Sequence, residues 1–347
     1  MNTRFFLGAN SGSGFYSLYD DFAQGEGDFL YLIKGGPGGG KSGFLKKVAQ
    51  KAESLHYDVE YILCSGDPDS LDGVYIPALH CGLTDATAPH AAEPRRFGYD
   101  SCYVNLGQFC SRSSDDRIAE YHEKYKRMYR AAYSYLAAAA ELESAGIPYL
   151  FGQNEILRAE NRAKAAVSRH CVKKHPTHAP QVTRRFIRCI GCRGELLLED
   201  SISALCKQIL LVDDRCGLAE AFFHRAVGEA SLLGYDAILC PSPLCPSKTD
   251  ALLLPEASLG FVSASAAPGL EARHIRLDAL VPPDAMREHR EELKGREKLT
   301  AELKDSAVSY LRRAKEYHDR LEKAYRPCVD FAALDIFTGD FIEKLFS

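Results

Sequence analysis

The sequence predicts an α/β fold in which a parallel sheet is flanked by helices and the whole unit occurs twice. Three observations favour this fold. Apolar strand-like runs alternate with an amphipathic helix, the two halves of the chain resemble each other, and each half ends in a long stretch of helix-forming residues. The chain has 347 residues, which suits two domains. We expect them to be residues 1–180 and residues 181–347.

The duplication is indicated by matches that recur in the same order about 178 residues apart. The segment DGVYIPAL (72–79) recurs as DALLLPEA (250–257), and GLTDATAPH (82–90) recurs as GFVSASAAP (260–268). Each match is weak by itself. Their common order indicates that one ancestral unit was copied.

The two halves also predict the same succession of elements. In each, an apolar strand is followed by an amphipathic helix, a second strand, a polar connection and a third strand. In the first half, the residues expected on the apolar face of this helix are Phe44, Leu45, Val48, Ala52 and Leu55. Short connections between strand, helix and strand indicate a parallel sheet covered by helices. The predicted strands are residues 28–34, 59–64 and 81–85 in the first half and residues 208–214, 236–240 and 260–264 in the second.

Residues 115–145 and 284–325 form the long helical stretches. The first has no Pro or Gly, and the second has one Gly. We expect each half to end in a helical hairpin that packs on the sheet or on its twin. The alternative is an arm for a protein partner or for self-association. Residues 172–183 are polar and contain Pro, as is typical of a linker.

Composition excludes several classes of protein. The chain is 46% hydrophobic and 26% charged, with a net charge of −4 and no long basic run, so there is no strong signal for a nucleic-acid partner. The N-terminus lacks the apolar core of a signal peptide. The most apolar stretch, residues 251–270, is interrupted by Pro255, Glu256 and Pro268, which argues against a membrane span. We expect a cytoplasmic protein.

The strongest motif is GGPGGGKS (35–42), which fits G-x-x-x-x-G-K-[ST] between a predicted strand and a predicted helix. Glycines let backbone N–H groups surround phosphate oxygens, and a helix N-terminus adds roughly half a positive charge. This pattern is typical of the P-loop NTPase fold and predicts a bound nucleoside triphosphate. The residues expected to line the phosphates are Gly35, Gly36, Pro37, Gly38, Gly39, Gly40, Lys41, Ser42 and Gly43.

Three residues of the predicted site have distinct roles. Lys41 would reach the β- and γ-phosphates and is a catalytic candidate. The hydroxyl of Ser42 would bind Mg²⁺. Asp85 follows a short apolar run and would hold the same Mg²⁺, usually through water. The alternative for Asp85 is a capping aspartate in a turn.

The segment CSGDPDSLDG (64–73) supplies further catalytic candidates. Connections after strand C-termini face the ligand crevice in such sheets. Asp67, Asp69 or Asp72 could therefore orient the attacking water or bind a phosphoryl acceptor. The alternative is turn chemistry, because Asp, Pro, Ser and Gly are common in turns.

Four residues beyond the third strand are weaker candidates. Thr87 and His90 could contact the γ-phosphate, although a lone surface histidine is an equally good interpretation of His90. Arg95 and Arg96 are candidates for an arginine finger only because they follow the third strand.

The second half departs from this motif. At the same offset, the loop becomes DDRCGLAE (213–220), with Ala219 in place of Lys41 and Glu220 in place of Ser42. A carboxylate at that helix start would repel a phosphate. We therefore expect the second half to keep the fold and to lack the nucleotide site.

Six of the twelve cysteines lie between Cys189 and Cys245. Two spaced pairs of cysteines are compatible with a tetrahedral zinc site. The alternative is a set of separate reduced thiols. The cysteines considered for a metal site are Cys189, Cys192, Cys216, Cys240 and Cys245.

Four blocks together carry a family resemblance: residues 4–20, 32–47, 64–79 and 84–90. In this order they resemble a group of bacterial two-repeat P-loop ATPases, most of them hypothetical proteins. Members of the group commonly have a P-loop in each half. The resemblance covers the first ~100 residues well and the second half loosely. It implies ATP binding and hydrolysis, and it names no physiological substrate.

The sequence thus predicts Mg-dependent ATP binding and hydrolysis by one active and one degenerate repeat. Two alternatives remain open at this point. One is a small-molecule or nucleotide kinase, with the connection after the second strand binding the acceptor. The other is a nucleotide-dependent binding module with little turnover.

Overall fold

The structure is a computed structural model that describes residues 2–90, 92–145, 150–176 and 178–347. Thr177, within the predicted linker, lies outside the described residues. In chain order the first half contains β1 (Thr3–Phe5), β2 (Gly8–Ser11), β3 (Gly14–Ser17), β4 (Phe29–Lys34), α1 (Lys41–Ser54), β5 (Glu60–Leu63), β6 (Leu71–Ile76), β7 (Cys81–Asp85), β8 (Ser101–Asn105), α2 (Arg117–Ser144) and α3 (Gln153–His170). The second half contains β9 (Val182–Arg184), β10 (Arg188–Gly191), β11 (Gly194–Leu197), α4 (Glu199–Leu205), β12 (Gln208–Asp213), α5 (Ala219–Leu232), β13 (Ala237–Pro241), β14 (Thr249–Leu254), β15 (Leu259–Ser263), β16 (Arg273–Arg276), α6 (Pro283–Glu288), α7 (Arg290–Tyr325) and α8 (Phe331–Leu345).

The first half forms a six-stranded sheet in the order β1-β5-β6-β7-β4-β8. The expectation of a parallel sheet is correct for β1 with β5 and for β4 with its two neighbours, and wrong for β6, which runs antiparallel to β5 and β7. The cause is the short connection between β5 and β6. A turn in which Ser70 N–H donates to the Asp67 carbonyl at 2.8 Å reverses the chain there. Parallel neighbours would need a much longer crossover.

The second half repeats this sheet strand for strand, in the order β9-β13-β14-β15-β12-β16 and with the same directions. The register repeats as well. Gly73 pairs with Thr84 in the first sheet, and Ala251 pairs with Val262 in the second. Both members of the second pair lie 178 residues further on. The α/β fold is therefore duplicated, as the sequence predicts.

Helix α1 begins at Lys41 and packs its predicted apolar face on the first sheet. Phe44, Leu45, Val48 and Ala52 are buried, as expected. Leu55, which was expected on the same face, is exposed because the helix ends at Ser54.

The two halves meet around Phe6 and Phe186. These residues are equivalent because each lies three residues after a threonine that pairs with the same strand position, Thr3 with Glu60 and Thr183 with Ile238, so the offset is 180 at this edge. Phe6 and Phe186 donate backbone N–H groups to each other's carbonyls, both at 2.9 Å. Both side chains are fully buried in a core cluster that draws on both halves. A mutual contact between equivalent positions is what a two-fold axis produces. The repeats are thus related by an approximate two-fold axis within one chain.

The long helices are exchanged between the repeats and do not form two separate hairpins. Helix α2 packs along α7. Helix α3 packs on α5, where Ala163 and Val167 join the core of the second repeat. Helix α8 packs on α1, where Leu334 joins the core of the first repeat. The division at residue 180 stays a prediction about sequence repeats, and the packing of α3 and α8 crosses it.

The described residues form eight α-helices. None of them combines the length and apolar character needed to cross a lipid bilayer.

The helix exchange makes a testable prediction about stability. Replacing Leu334 with Ala removes a buried contact between α8 and the first repeat, and we expect a loss of about 2–5 kcal/mol in the free energy of unfolding. Ile336, on the same helix, is 69% exposed. Its replacement with Ala should change stability by no more than about 0.5 kcal/mol. Urea unfolding of both variants checks this, and equal losses would contradict the packing of α8 on the first repeat.

Candidate functional site

The glycine-rich loop lies between the end of β4 and the start of α1, as the motif predicts. Gly38 and Gly40 have φ angles of 67° and 85°, in the left-handed region that favours glycine. Of the six amides from Gly38 to Gly43, only that of Gly39 has an acceptor among the described residues, the Gly36 carbonyl at 3.2 Å. The other five are those of Gly38, Gly40, Lys41, Ser42 and Gly43.

Lys41 lies across its own loop. Its ammonium donates to the carbonyls of Gly35 at 2.8 Å and Gly36 at 3.0 Å, and it lies 3.6 Å from Oδ2 of Asp85. Both side chains of this ion pair are largely buried. The structure thus brings together the lysine of the motif and the predicted acidic residue.

Asp85 ends β7, which lies parallel to β4 in the sheet. Its Oδ1 accepts hydrogen bonds from the backbone N–H of Thr87 at 2.8 Å and from the Thr87 hydroxyl at 2.5 Å. The capping alternative is therefore also realised, because Asp85 caps the turn after its strand. Its Oδ2 faces Lys41.

The hydroxyl of Ser42 accepts a hydrogen bond from the Leu71 backbone N–H at 3.0 Å. In the second repeat, Oε1 of Glu220 accepts from the Thr249 backbone N–H at 2.8 Å. Both residues of this second pair lie 178 residues after their counterparts. This position therefore anchors the start of β6 or β14 in each repeat. The second lone pair of the Ser42 oxygen is the one that could bind a metal ion.

Asp72 lies at the start of β6, beside Ser42 and Asp85. Its neighbour Leu71 bonds to Ser42, and pairing of Gly73 with Thr84 brings Asp72 alongside Asp85. The sequence placed Asp72 in a polar loop, whereas the structure buries it to 5% exposure. Burial raises the pKa of its carboxyl, and the charge of Asp85 adds to this effect.

Two aromatic residues hold the Asp72 carboxylate. The Tyr19 hydroxyl donates to Oδ2 at 3.1 Å, and Nε2 of His90 lies 3.4 Å from the same oxygen. The Cys64 thiol faces this carboxylate as well, and burial raises its pKa strongly. His90 is only 8% exposed, so the surface-histidine interpretation is wrong.

Asp67 and Asp69 face the second repeat instead of the glycine-rich loop. Oδ2 of Asp67 lies 3.3 Å from the ammonium of Lys315 on α7. Asp69 forms an ion pair with Arg193, in the turn between β10 and β11. Of the three aspartates proposed for the reacting water, only Asp72 lies beside Ser42 and Asp85.

The arginine-finger candidates have other partners. Arg95 donates to the carbonyls of Phe22 at 3.4 Å and Ala23 at 3.2 Å. Arg96 pairs with Asp100 at 2.7 Å. Neither is directed to the loop by these contacts.

The outer side of the glycine-rich loop packs against the other repeat's helices. A Cβ added at Gly38 would meet the Glu322 carbonyl at 3.0 Å. A Cβ added at Gly40 would meet Leu334 Cδ2 at 2.5 Å. The motif itself explains glycine at these positions by phosphate binding. The structure adds a second reason, which is the close approach of α7 and α8.

The loop of the second repeat is filled by its own side chain. The Asp214 carboxylate accepts the backbone N–H groups of Cys216 at 3.0 Å, Gly217 at 3.0 Å and Ala219 at 2.7 Å. It occupies the place at the helix start where an anion would bind. The geometry therefore supports the interpretation that the second repeat keeps the fold without the phosphate site.

The cysteines of the second half are free thiols that do not converge as two pairs. Cys216 lies close enough to Asp214 and Asp278 to share a metal ion with them. Among the described residues, no other cysteine belongs to a group of three or more possible metal ligands. Burial raises the pKa of Cys189 to about 12 and that of Cys245 to about 11, which disfavours the thiolate that metal binding requires.

Sequence reasoning missed Tyr19 and Cys64. Tyr19 lies in a 3₁₀ turn, Tyr19–Asp21, 53 residues before its partner Asp72. Both lie in segments that the sequence singles out, residues 4–20 and 64–73, but nothing in those segments points to these two side chains. The role of α7 and α8 was missed because their contacts depend on the exchange between repeats.

Comparisons with protein-family models, with curated proteins and with solved structures found no match to this chain.

The filled loop predicts a stability change. Replacing Asp214 with Ala removes the acceptor of three amides at the start of α5, and we expect a loss of about 0.5–2 kcal/mol, as for other helix caps. Asp305 is an exposed aspartate within α7, and its replacement with Ala serves as control. Chemical denaturation checks the difference. A loss no larger than that of the control would contradict the capping role.

The burial of Asp72 predicts a pH dependence. Its pKa is raised in the folded state, so the folded protein keeps this proton to higher pH than the unfolded chain does. The contribution of Asp72 to stability is therefore greatest at low pH and falls as the pH rises above about 4. Asp72→Asn has no carboxyl to ionise and avoids this loss. The free energy of unfolding of the variant, relative to that of the unmodified protein, should therefore increase as the pH rises from 4 to 7. Urea unfolding across that range checks the sign, with Asp305→Asn as control. A relative stability of Asp72→Asn that increases toward low pH would contradict the prediction.

Proposed function

We propose that the protein binds Mg-ATP at residues 35–43 and hydrolyses it, with the first repeat active and the second degenerate. The observation that carries this proposal is the contrast between the two loops. In one turn the amides of Gly38 and of residues 40–43 have no acceptor in the described parts of the chain, and in the equivalent turn Asp214 accepts three amides. An anion-binding arrangement that one repeat fills with its own carboxylate is well suited to phosphate in the other.

The residues around the loop fit a nucleoside triphosphate with its metal ion. Lys41 can turn from the Gly35 and Gly36 carbonyls to the β- and γ-phosphates and neutralise charge on the transferred group. Ser42 and Asp85 offer oxygen ligands, the type that Mg²⁺ prefers. When bound, Mg²⁺ would neutralise charge between the β- and γ-phosphate oxygens.

Hydrolysis is favoured over transfer to an acceptor by the placement of the acidic residues. Asp67 and Asp69, the residues that could bind an acceptor, are engaged by Lys315 and Arg193 of the second repeat. Preference for ATP over other nucleotides is part of the proposal through the family resemblance and the lack of a guanine-binding N-K-x-D motif in the sequence.

The decisive variant is Lys41→Ala. We expect it to lower kcat/KM for ATP hydrolysis by about 100-fold or more, because it removes a charge directed at the transferred phosphoryl group. Lys51, an exposed lysine near the end of the same helix, gives the matched control Lys51→Ala, which should keep full activity. Phosphate release with Mg²⁺ and with excess chelator measures both. Equal activity of Lys41→Ala and the control would refute the site.

The same assay separates the alternatives. ADP release that depends on an added acceptor would indicate a kinase. Tight binding of Mg-ATP with negligible turnover would indicate a nucleotide-dependent binding module. Chelator-resistant turnover would contradict the role of Mg²⁺.

A further inference from the structure

The duplication provides an internal comparison for the site. At the common offset, Lys41 corresponds to Ala219 and Asp85 to Ser263. His90 corresponds to Pro268, at the ends of the matching segments. The histidine is thus absent from the repeat in which the lysine and the acidic residue are also absent.

One buried carboxylate is present in both repeats, since Asp72 corresponds to Asp250. Its partners differ. Asp250 is held by Arg188, with Nε at 2.9 Å and Nη2 at 3.3 Å. Asp72 has Tyr19 and His90 instead. In the degenerate repeat the carboxylate is therefore neutralised by a permanent cation, whereas in the first repeat it faces a ring that can gain and lose a proton.

The environment of His90 fixes the direction of its ring. Nε2 faces Asp72, and the ring packs against Phe15 at 5.0 Å and Tyr19 at 4.7 Å between centroids. A carboxylate beside Nε2 favours the tautomer with hydrogen on that nitrogen, which leaves Nδ1 as an acceptor. Nδ1 is buried and pairs with no group in the described parts of the chain. Buried acceptors of this kind are rare and call for an explanation.

The pair lies at the glycine-rich loop. Asp72 is next to Leu71, which bonds to Ser42, and beside Asp85, which contacts Lys41. His90 belongs to the turn that follows Asp85, where its backbone N–H donates to the Thr87 carbonyl at 2.8 Å. The Asp72–His90 pair therefore lies beside the residues assigned to phosphate and metal.

We propose that His90, oriented by Asp72, is the general base that accepts the proton of the attacking water. This inference rests on the proposed hydrolysis of ATP. The water oxygen forms a bond to the γ-phosphorus while the bond from that phosphorus to the bridging oxygen breaks, and its electron pair leaves with ADP. The water proton goes to Nδ1, and Asp72 stabilises the resulting imidazolium. His90 then gives the proton to the phosphate product, which carries it out when it leaves.

Several charged and polar groups face this pair. The Tyr19 hydroxyl and the Cys64 thiol both face the Asp72 carboxylate. Asp85 adds negative charge, and Lys41 beside it adds positive charge. Phe15, on β3, contributes an apolar wall.

The test compares His90→Gln with His224→Gln, which changes an exposed histidine on α5. We expect His90→Gln to lower kcat by about 10²–10⁴-fold, as is usual for loss of a general base. The Kd for Mg-ATP should change by no more than about twofold, because binding depends on the loop amides. His224→Gln should match the unmodified protein.

The pH profile provides a measurement that does not depend on a variant. In the unmodified protein kcat should fall as the pH drops, because a general base acts only in its unprotonated form, and in His90→Gln the remaining rate should lose that dependence. Asp72→Asn should lower kcat and keep Mg-ATP binding, because it perturbs the tautomer of His90. A purely structural role would leave the pH profile unchanged.

The outcomes separate this inference from the proposed function. If the unmodified protein and Lys41→Ala are equally inactive toward ATP, the proposed function fails. If the unmodified protein hydrolyses ATP but kcat is independent of pH below 7, or His90→Gln keeps its kcat, then His90 is not the base and hydrolysis itself still stands.

Discussion

The hydrogen-bonding needs of a few backbone amides at the start of α1 organise much of this structure. N–H groups at a helix start require acceptors from outside the helix. In the second repeat, Asp214 supplies one from within the turn. In the first repeat, where Gly38 and Gly40 are left-handed, no side chain in the described parts of the chain does so. The same backbone problem has an internal solution in one repeat and requires an external acceptor in the other.

The exchange of helices places residues of the second repeat around the glycine-rich loop of the first. The second repeat contributes α8, whose Leu334 packs at Gly40, and α7, whose Glu322 carbonyl lies over Gly38. It also supplies Lys315 and Arg193, which hold the connection between β5 and β6. The first repeat gives α3 in return. Each sheet therefore depends on the other half of the chain for one of its covering helices.

The parts of this architecture that sequence predicts are those encoded locally. The strand before the loop, the helix after it and the pairing of Lys41 with Asp85 follow from a motif and from the parallel neighbours β4 and β7. The antiparallel β6 was missed because its polar start, with Asp72 facing Tyr19, hides a strand within turn-forming residues. The exchange of α3 and α8 was missed because two halves with the same pattern offer each helix two equivalent partners. Amphipathicity shows that a face is buried but does not identify the surface that buries it.

An internal repeat distinguishes structural roles from chemical ones within a single chain. A position that makes the same contact in both repeats serves the fold. Ser42 and Glu220 differ in chemistry, yet both accept the amide that begins the antiparallel strand, so part of the role of Ser42 is structural. Asp72 and Asp250 are likewise both buried at the start of that strand. What differs is the partner, since a permanent cation satisfies Asp250 and a titratable ring faces Asp72. Differences of this kind, confined to the rim where the glycine-rich loop lies, are where chemistry beyond folding is to be sought.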